Sequence, residues 1–296
     1  MRRNNLAPIC LFTYNRLYET KQTVEALKKN HLASKSELFI FSDGSKDVDV
    51  AEKVNQVRQY IKTISGFKSV TIYESPINKG LANSIISGVT QIIEKHGKVI
   101  VMEDDLISSP NFLNFMSQAL DFYADNPKIH SISGYTLNLP SLQKYDKDFY
   151  LGYRASSWGW GTWSNKWNAT DWEVKEYKKL KKNPINQLKF MRGGSDMPRM
   201  LKKQMNGKID SWAIRWCFDQ FIKNQLTVFP SKSKLMNIGI GKNATHTKKA
   251  KRFISSLDDG IQREFCFEVN PSINKASVKE FRNKFSIVSR LKDKVL

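Results

Sequence analysis

The chain has 296 residues, 40% of them hydrophobic and 11% aromatic, which excludes a disordered chain and allows one large domain with a substantial core. Its 48 lysines and arginines outnumber 28 aspartates and glutamates, and the net charge of +20 points to an anionic partner: nucleic acid, an acidic membrane surface or phosphorylated substrates. Three widely spaced cysteines, Cys10, Cys217 and Cys266, exclude a disulfide framework and suit a reducing compartment, each as a small buried hydrophobe.

Residues 7–12 read as a first strand, followed by Thr13-Tyr14-Asn15-Arg16 at its carboxyl end and a helix over 17–29. That polar cluster breaks the apolar segment after Arg2 and Arg3, so no leader peptide is expected, and no run approaches the ~20 apolar residues of a membrane span. A second strand at 37–41 ends in Ser42-Asp43-Gly44-Ser45, and a helix is predicted over 46–64. A third strand at 69–73 leads to Asn78-Lys79-Gly80, and a helix over 85–95 follows. Then Lys98-Val99-Ile100-Val101-Met102 forms a β-branched strand buried on both faces, ending in Glu103-Asp104-Asp105.

Strands alternating with helices, each strand emptying into a polar cluster, predict a mainly parallel βαβ sheet with a binding edge at its carboxyl ends. Three adjacent acids repel one another. They are either a solvated acidic turn or the seat of a hard divalent cation, Mn²⁺ or Mg²⁺, bridging to phosphate oxygens.

The order of these clusters resembles a GT-A glycosyltransferase, the Rossmann-like α/β fold of family 2 and its relatives, over about the first half of the chain. The resemblance implies that Thr13, Asn15 and Arg16 hold the nucleobase, that Asp43 hydrogen-bonds base or ribose, and that Asn78 and Gly80 lie near the nucleotide. It places Asp104 near the ribose and Asp105, with Glu103, at the metal. Glu103-Asp104-Asp105-Leu106 followed by Ser109-Pro110-Asn111-Phe112 is also similar to the N-acetylglucosaminyltransferases that initiate complex N-glycans.

Residues 111–123 form an amphipathic helix and 129–134 a strand, where His130 packs or hydrogen-bonds. Residues 153–172 carry five tryptophans with glycines interleaved; Trp158 and Trp160 either wall the sugar and acceptor sites or plug the core. Residues 171–183 are lysine-rich and helical. Asp210 begins or just precedes a helix, as its cap or, by the resemblance, as the base that deprotonates the acceptor; Asp171 is the rival base. The glycine-rich run from Asn237 to Gly241 resembles a closing loop. His246 would then complete the metal site, with Lys248 on the diphosphate or an anionic acceptor. Residues 277–296 form one basic amphipathic helix, either lying in an anionic membrane surface or docked on the core.

These readings predict a GT-A domain over 1–250, its 1–135 half for the nucleotide sugar and its 136–250 half for the acceptor, with a basic helical extension over 251–296. They predict a metal-dependent inverting glycosyltransferase. It would move a sugar from a UDP-sugar to a glycan or lipid-linked acceptor in bacterial surface polysaccharide synthesis, in the cytoplasm or on the inner face of the membrane. A sugar nucleotidyltransferase is the first alternative, although the Thr13–Arg16 loop lacks the glycines such enzymes carry there. A basic nucleic-acid-binding protein is the second, but no RNA-recognition, helix-turn-helix or zinc-finger signature occurs, so no nucleic acid is expected.

Overall fold

The computed structural model describes residues 6–239 and 251–295. The first half alternates as expected. β1 (Ile9–Thr13), β2 (Glu37–Ser42), β3 (Ser69–Glu74) and β4 (Lys98–Glu103) are separated by α1 (Leu17–Lys28), α2 (Val48–Ile61) and α3 (Leu81–His96). All five residues of β1 are buried, as are Val99 to Met102 of β4, which is what central strands covered on both faces require. Helix ends follow local chemistry. Asp47 caps α2 by accepting from the Val50 N–H at 3.2 Å, so that helix is shorter than the periodicity suggested. Gly80, at φ +74°, turns the chain into α3 four residues earlier than expected.

The second half continues through β5 (Leu106–Ser108), α4 (Phe112–Phe122), β6 (Ile129–Ser133), β7 (Phe149–Gly152) and β8 (Trp160–Trp163). Helices α5 (Ser164–Trp167), α6 (Tyr177–Lys182), α7 (Pro184–Phe190), α8 (Met197–Met205) and α9 (Trp212–Ile222) follow, then β9 (Leu226–Pro230), β10 (Leu235–Asn237), α10 (Lys275–Lys284) and α11 (Ile287–Val295). The eight-stranded sheet has the order β3-β2-β1-β4-β8-β6-β9-β7. Its β3-β2-β1-β4 run is parallel, β6 pairs parallel with β9, and β8 and β7 run against their neighbours. The fold is therefore a mainly parallel α/β sheet flanked by helices, with helices at the C-terminal end.

One face of the sheet packs Leu11, Ile40, Ile100 and Met102 against Val24, Leu27, Val57, Leu113 and Met116. The other packs Cys10, Phe12, Val99 and Val101 against Ile85, Val89, Trp167, Trp216 and Phe218. Strand β8 lies inside the tryptophan segment. It sits between β4 and β6, and Gly161 permits this, because a Cβ there would come 2.9 Å from the Val99 carbonyl oxygen and 3.1 Å from Leu120.

Three further expectations change. The helix expected over 171–183 shrinks to α6, because both Asp171 oxygens cap a turn, accepting from the Glu173 and Lys175 N–H groups. Cys266 is exposed, whereas Cys10 and Cys217 are buried. The single helix expected over 277–296 is two. α10 docks on the core through Phe281 and Phe285, with Glu280 accepting from the Ser141 N–H and hydroxyl at 2.9 and 2.7 Å, while Ile287, Val288 and Leu291 of α11 remain exposed.

Ahead of α10, residues 257–269 form a strap over α4. Asn111 and Gln118 donate to Asp258 and to the Arg263 carbonyl, and the Tyr123 hydroxyl donates to the Glu268 carbonyl. Lys234 and Asp258 form a buried ion pair at 2.9 Å beneath it. Among the described residues, no helix is long and apolar enough to cross a membrane.

Candidate functional site

The carboxyl ends of β1 to β4 open into one cavity of about 780 Å³. Thr13, Asn15, Arg16, Asp43, Asn78, Gly80, Glu103, Asp104, Asp105 and Trp158 all line it, so residues spread over about half the chain meet at one sheet edge. Its floor contains a ladder of three rings that sequence reading missed. Phe12, Phe41 and Tyr73 occupy matching register positions on β1, β2 and β3, with centroids 5.0 and 4.9 Å apart and nearly parallel planes. The alternation of β2 was the available signal, since Phe41 and Phe39 point away from buried Leu38 and Ile40.

The acidic triplet is held by groups far away in sequence. Glu103 ends β4. Thr23 of α1 clasps the following turn: its hydroxyl donates to the Asp104 carbonyl at 2.9 Å and accepts from the Leu106 N–H at 3.1 Å. The Asp104 carboxylate accepts from the Tyr14 N–H at 3.2 Å, which ties the turn to the loop after β1. Arg16 Nη1 donates to Asp105 Oδ2 at 3.0 Å, and Asn237 Nδ2 reaches Asp105 Oδ1 at 3.4 Å. β10 brings Asn237 there by pairing antiparallel with β5, and the Ile238 N–H then bonds the Asp105 carbonyl. Gly239 follows immediately, and a Cβ at that position would lie 2.1 Å from Asp105 Oδ2, so any side chain there would displace the Asp105 carboxylate.

Three carboxylates face one guanidinium here. Burial pushes Glu103 well above the ordinary carboxylate range, and Asp105 and Asp104 add to it. Burial, then Asp105, pushes Asp104 up to about 7. Asp105 is raised by burial too, with Arg16 pulling it back. Beside them, the buried Asn237 Oδ1 and Thr13 Oγ1 have no hydrogen-bond partner among the described residues. Excess negative charge, buried oxygen acceptors and no soft ligand are the donor set of a hard divalent cation that takes one or two carboxylates and completes its shell with phosphate oxygens and water. The described residues offer no group of three or more His, Cys, Asp or Glu that could enclose a metal by themselves. His246 and Lys248 lie outside the described residues.

Asp43 is more constrained than expected. Its Oδ1 accepts from the Gly44 and Lys79 N–H groups at 3.0 and 2.9 Å, and its Oδ2 from the Gly80 N–H at 3.0 Å. Asn78 Nδ2 donates to the Gly44 carbonyl at 2.8 Å. Asp43 and Asn78 therefore stitch the loops after β2 and β3 together, and Gly80 delivers the start of α3 to the cavity wall.

Trp160 is not part of the wall. It is 1% exposed and packs against Trp167, Trp212 and Trp216 at 4.3 to 5.4 Å, the core alternative for this segment. Trp158, two residues earlier, reaches the cavity and rests edge-on against Tyr135 and Phe253. Asp210 and Asp171 do not line the cavity. The N-cap of α9 is Ser211, whose Oγ accepts from the Ile214 N–H, so Asp210 is not the cap. Its side chain, 63% exposed, sits 3.5 Å from Arg215 Nη2; Arg215 also donates to the Trp172 carbonyl next to Asp171.

In sequence the chain matches no family model and no curated protein. In structure it is similar to mannosyltransferase PcManGT from Pyrobaculum calidifontis in complex with GDP-Man and Mn²⁺, with TM-score 0.39, 13% identity and coverage of 54% of this chain and 45% of that one. It is also similar to LgtC, with TM-score 0.37, 9% identity and coverage of 58% and 64%. A UDP-glucose pyrophosphorylase complexed with UDP-glucose matches with TM-score 0.35, 10% identity and coverage of 76% and 90%. The chain spans less than two thirds of the length of the first two. At these scores the likenesses assign neither activity nor substrate.

Proposed function

We propose that the chain is a GT-A glycosyltransferase that moves a sugar from a nucleoside-diphosphate sugar, a UDP-sugar, to a hydroxyl of a glycan or lipid-linked acceptor, with inversion, in bacterial surface polysaccharide synthesis at the inner face of the membrane. The observation that carries the reading is the convergence of Asp104, Asp105 and Arg16 with the Asp43-held turn in one cavity at the parallel sheet edge. The similarity of Glu103 to Leu106 to the N-acetylglucosaminyltransferase motif supports the same site.

Asp105 and Glu103 would hold Mn²⁺ or Mg²⁺, which supplies positive charge against the diphosphate when bound. Arg16, now on Asp105, is placed to share that charge. The rings of Phe41 and Tyr73 offer an apolar platform for the flat nucleobase, and Trp158 offers one for a sugar face. In the transfer, the acceptor oxygen bonds to the anomeric carbon as the bond from that carbon to the diphosphate oxygen breaks. A carboxylate takes the hydroxyl proton. We assign that base to Asp210, with Asp171 as its rival. Ser211 relieves Asp210 of capping. Trp212 of the same helix packs on Trp160, which pairs with Val101 two residues before Glu103, so the start of α9 belongs to the same end of the sheet.

The test is a panel of nucleotide sugars incubated with the protein, with and without Mn²⁺ and chelator. Metal-dependent release of nucleoside diphosphate from one of them is expected. Release of pyrophosphate from a nucleoside triphosphate and a sugar phosphate would replace the reading with nucleotidyl transfer.

A further inference from the structure

We propose that the elbow between α6 and α7 is a docking surface for an anionic lipid bilayer. At its crest Ile185 and Leu188 are 65% and 67% exposed. Three residues apart on a helix, they share a face. Lys178, Lys179, Lys181, Lys182 and Lys189 flank them in sequence, all exposed, and no acid occurs between Glu176 and Asp196. Lys179 pairs with Glu176, whereas Lys178, Lys181, Lys182 and Lys189 make no ion pair among the described residues. The elbow itself is anchored: Leu180 and Phe190 are buried on its inner side, and Asn183 caps α7 through the Asn186 N–H. The outward aliphatics are therefore not needed to hold the turn.

Single exposed apolar residues are ordinary. Two of them on one face, flanked by exposed lysines of which four make no ion pair among the described residues, form the two-part contact that binds an anionic interface: aliphatic groups enter the headgroup boundary while lysines meet lipid phosphates and carry their stems along the apolar edge. A nucleic acid is the other polyanion such charge could serve. Single-stranded binding relies on exposed aromatics and arginine planes, and the crest has neither, since Phe190 is buried. The surface is distinct from the α11 tail, whose Ile287, Val288 and Leu291 are also exposed. It does not depend on the enzymatic reading, though a lipid-linked acceptor would give it a purpose.

Flotation of the full chain with vesicles of phosphatidylcholine, alone or mixed with phosphatidylglycerol, tests this. Binding only to the mixed vesicles, weakening with salt, is expected. Ile185→Ser with Leu188→Ser should weaken it about tenfold, and replacing Lys181, Lys182 and Lys189 by Gln by about fivefold per lysine. Both variants should keep the wild-type melting temperature, which shows that a loss of binding is not a loss of fold. The proposal is overturned if wild type ignores anionic vesicles, or if both elbow variants bind them normally. It is also overturned if Ile287→Ser with Leu291→Ser alone removes binding, or if the Gln variant loses affinity for a single-stranded RNA oligonucleotide while vesicle binding stands.

Discussion

Arg16 donates to Asp105 at 3.0 Å across 89 residues of chain, joining the loop after the first strand to the acid that follows the fourth. Glu103 and Asp104 share the same cavity edge, and burial raises the pKa of all three acids. Asp105→Asn should keep the fold, because the acid lies at a strand end and not in the core. It should lower metal-dependent turnover by on the order of 10²–10³, the cost of one preorganised charge contact. Titration of Mn²⁺ in the presence of UDP, read by calorimetry, should lose its heat in the variant.

Asp43 works first on its own loops. Its three backbone contacts are charge-assisted and partly exposed, so Asp43→Ala should cost about 1–3 kcal/mol of stability. UDP affinity should fall with it, because the turn that carries Asn78 and Gly80 loses its clamp. Thermal unfolding and calorimetry on the same variant read the two effects separately; unchanged stability would show that the clamp does not hold the turn.

Asp210→Asn separates position from chemistry. Since Ser211 caps α9, the variant should melt with wild type, within about 0.5 kcal/mol as for surface substitutions. If Asp210 is the base, transfer falls by about 10²–10⁴ while donor binding stands. Normal transfer by Asp210→Asn, with loss in Asp171→Asn, moves the base next to Trp172.

The buried Lys234–Asp258 pair ties the 257–269 strap to the sheet, with Asn111 and the Gly260 N–H completing Asp258. Asp258→Ala leaves an uncompensated buried ammonium and should cost about 3–5 kcal/mol in urea denaturation. Adding Lys234→Met should recover part of that loss.

His130 gives the fold an acid limb. It is fully buried, touching Trp216, with Nε2 3.4 Å from Asp219, which also accepts from Lys223, the Thr170 hydroxyl and the Asp171 N–H. Burial lowers its pKa below 6.5, with Asp219 opposing. Above about 6.5 both folded and unfolded chains hold a neutral ring and this contribution is complete. As pH falls further, the unfolded chain takes the proton first, and stability drops by up to about 1.4 kcal/mol per pH unit until the folded ring also titrates. His130→Asn should flatten that limb in denaturation curves recorded between pH 7 and 5. A slope unchanged by the substitution would assign the acid limb to other groups.

The sequence by itself determined the parallel half of the sheet. β1 to β4 and the helices between them follow from local periodicity, and their polar endings follow from the rule that such sheets bind ligands at carboxyl ends. Thr13 to Arg16, Asp43, Asn78, Gly80 and the acidic triplet were legible for that reason. What only the tertiary structure decided are matters of long-range pairing. Trp160 became core because β8 inserts between β4 and β6, and nothing local in Trp-Gly-Thr-Trp distinguishes a wall from a central strand. Asp43 became a clamp because a loop 36 to 37 residues later folds onto it. Asn237 and Gly239 reached Asp105 only through the β5–β10 pairing. The tail broke into two helices because Phe281 and Phe285 found the core while Val288 and Leu291 did not, although all four carry the same helical signal. Periodicity reports that a residue has an apolar face to bury. Which surface buries it depends on strand order, and strand order is fixed by contacts between residues that are distant in sequence.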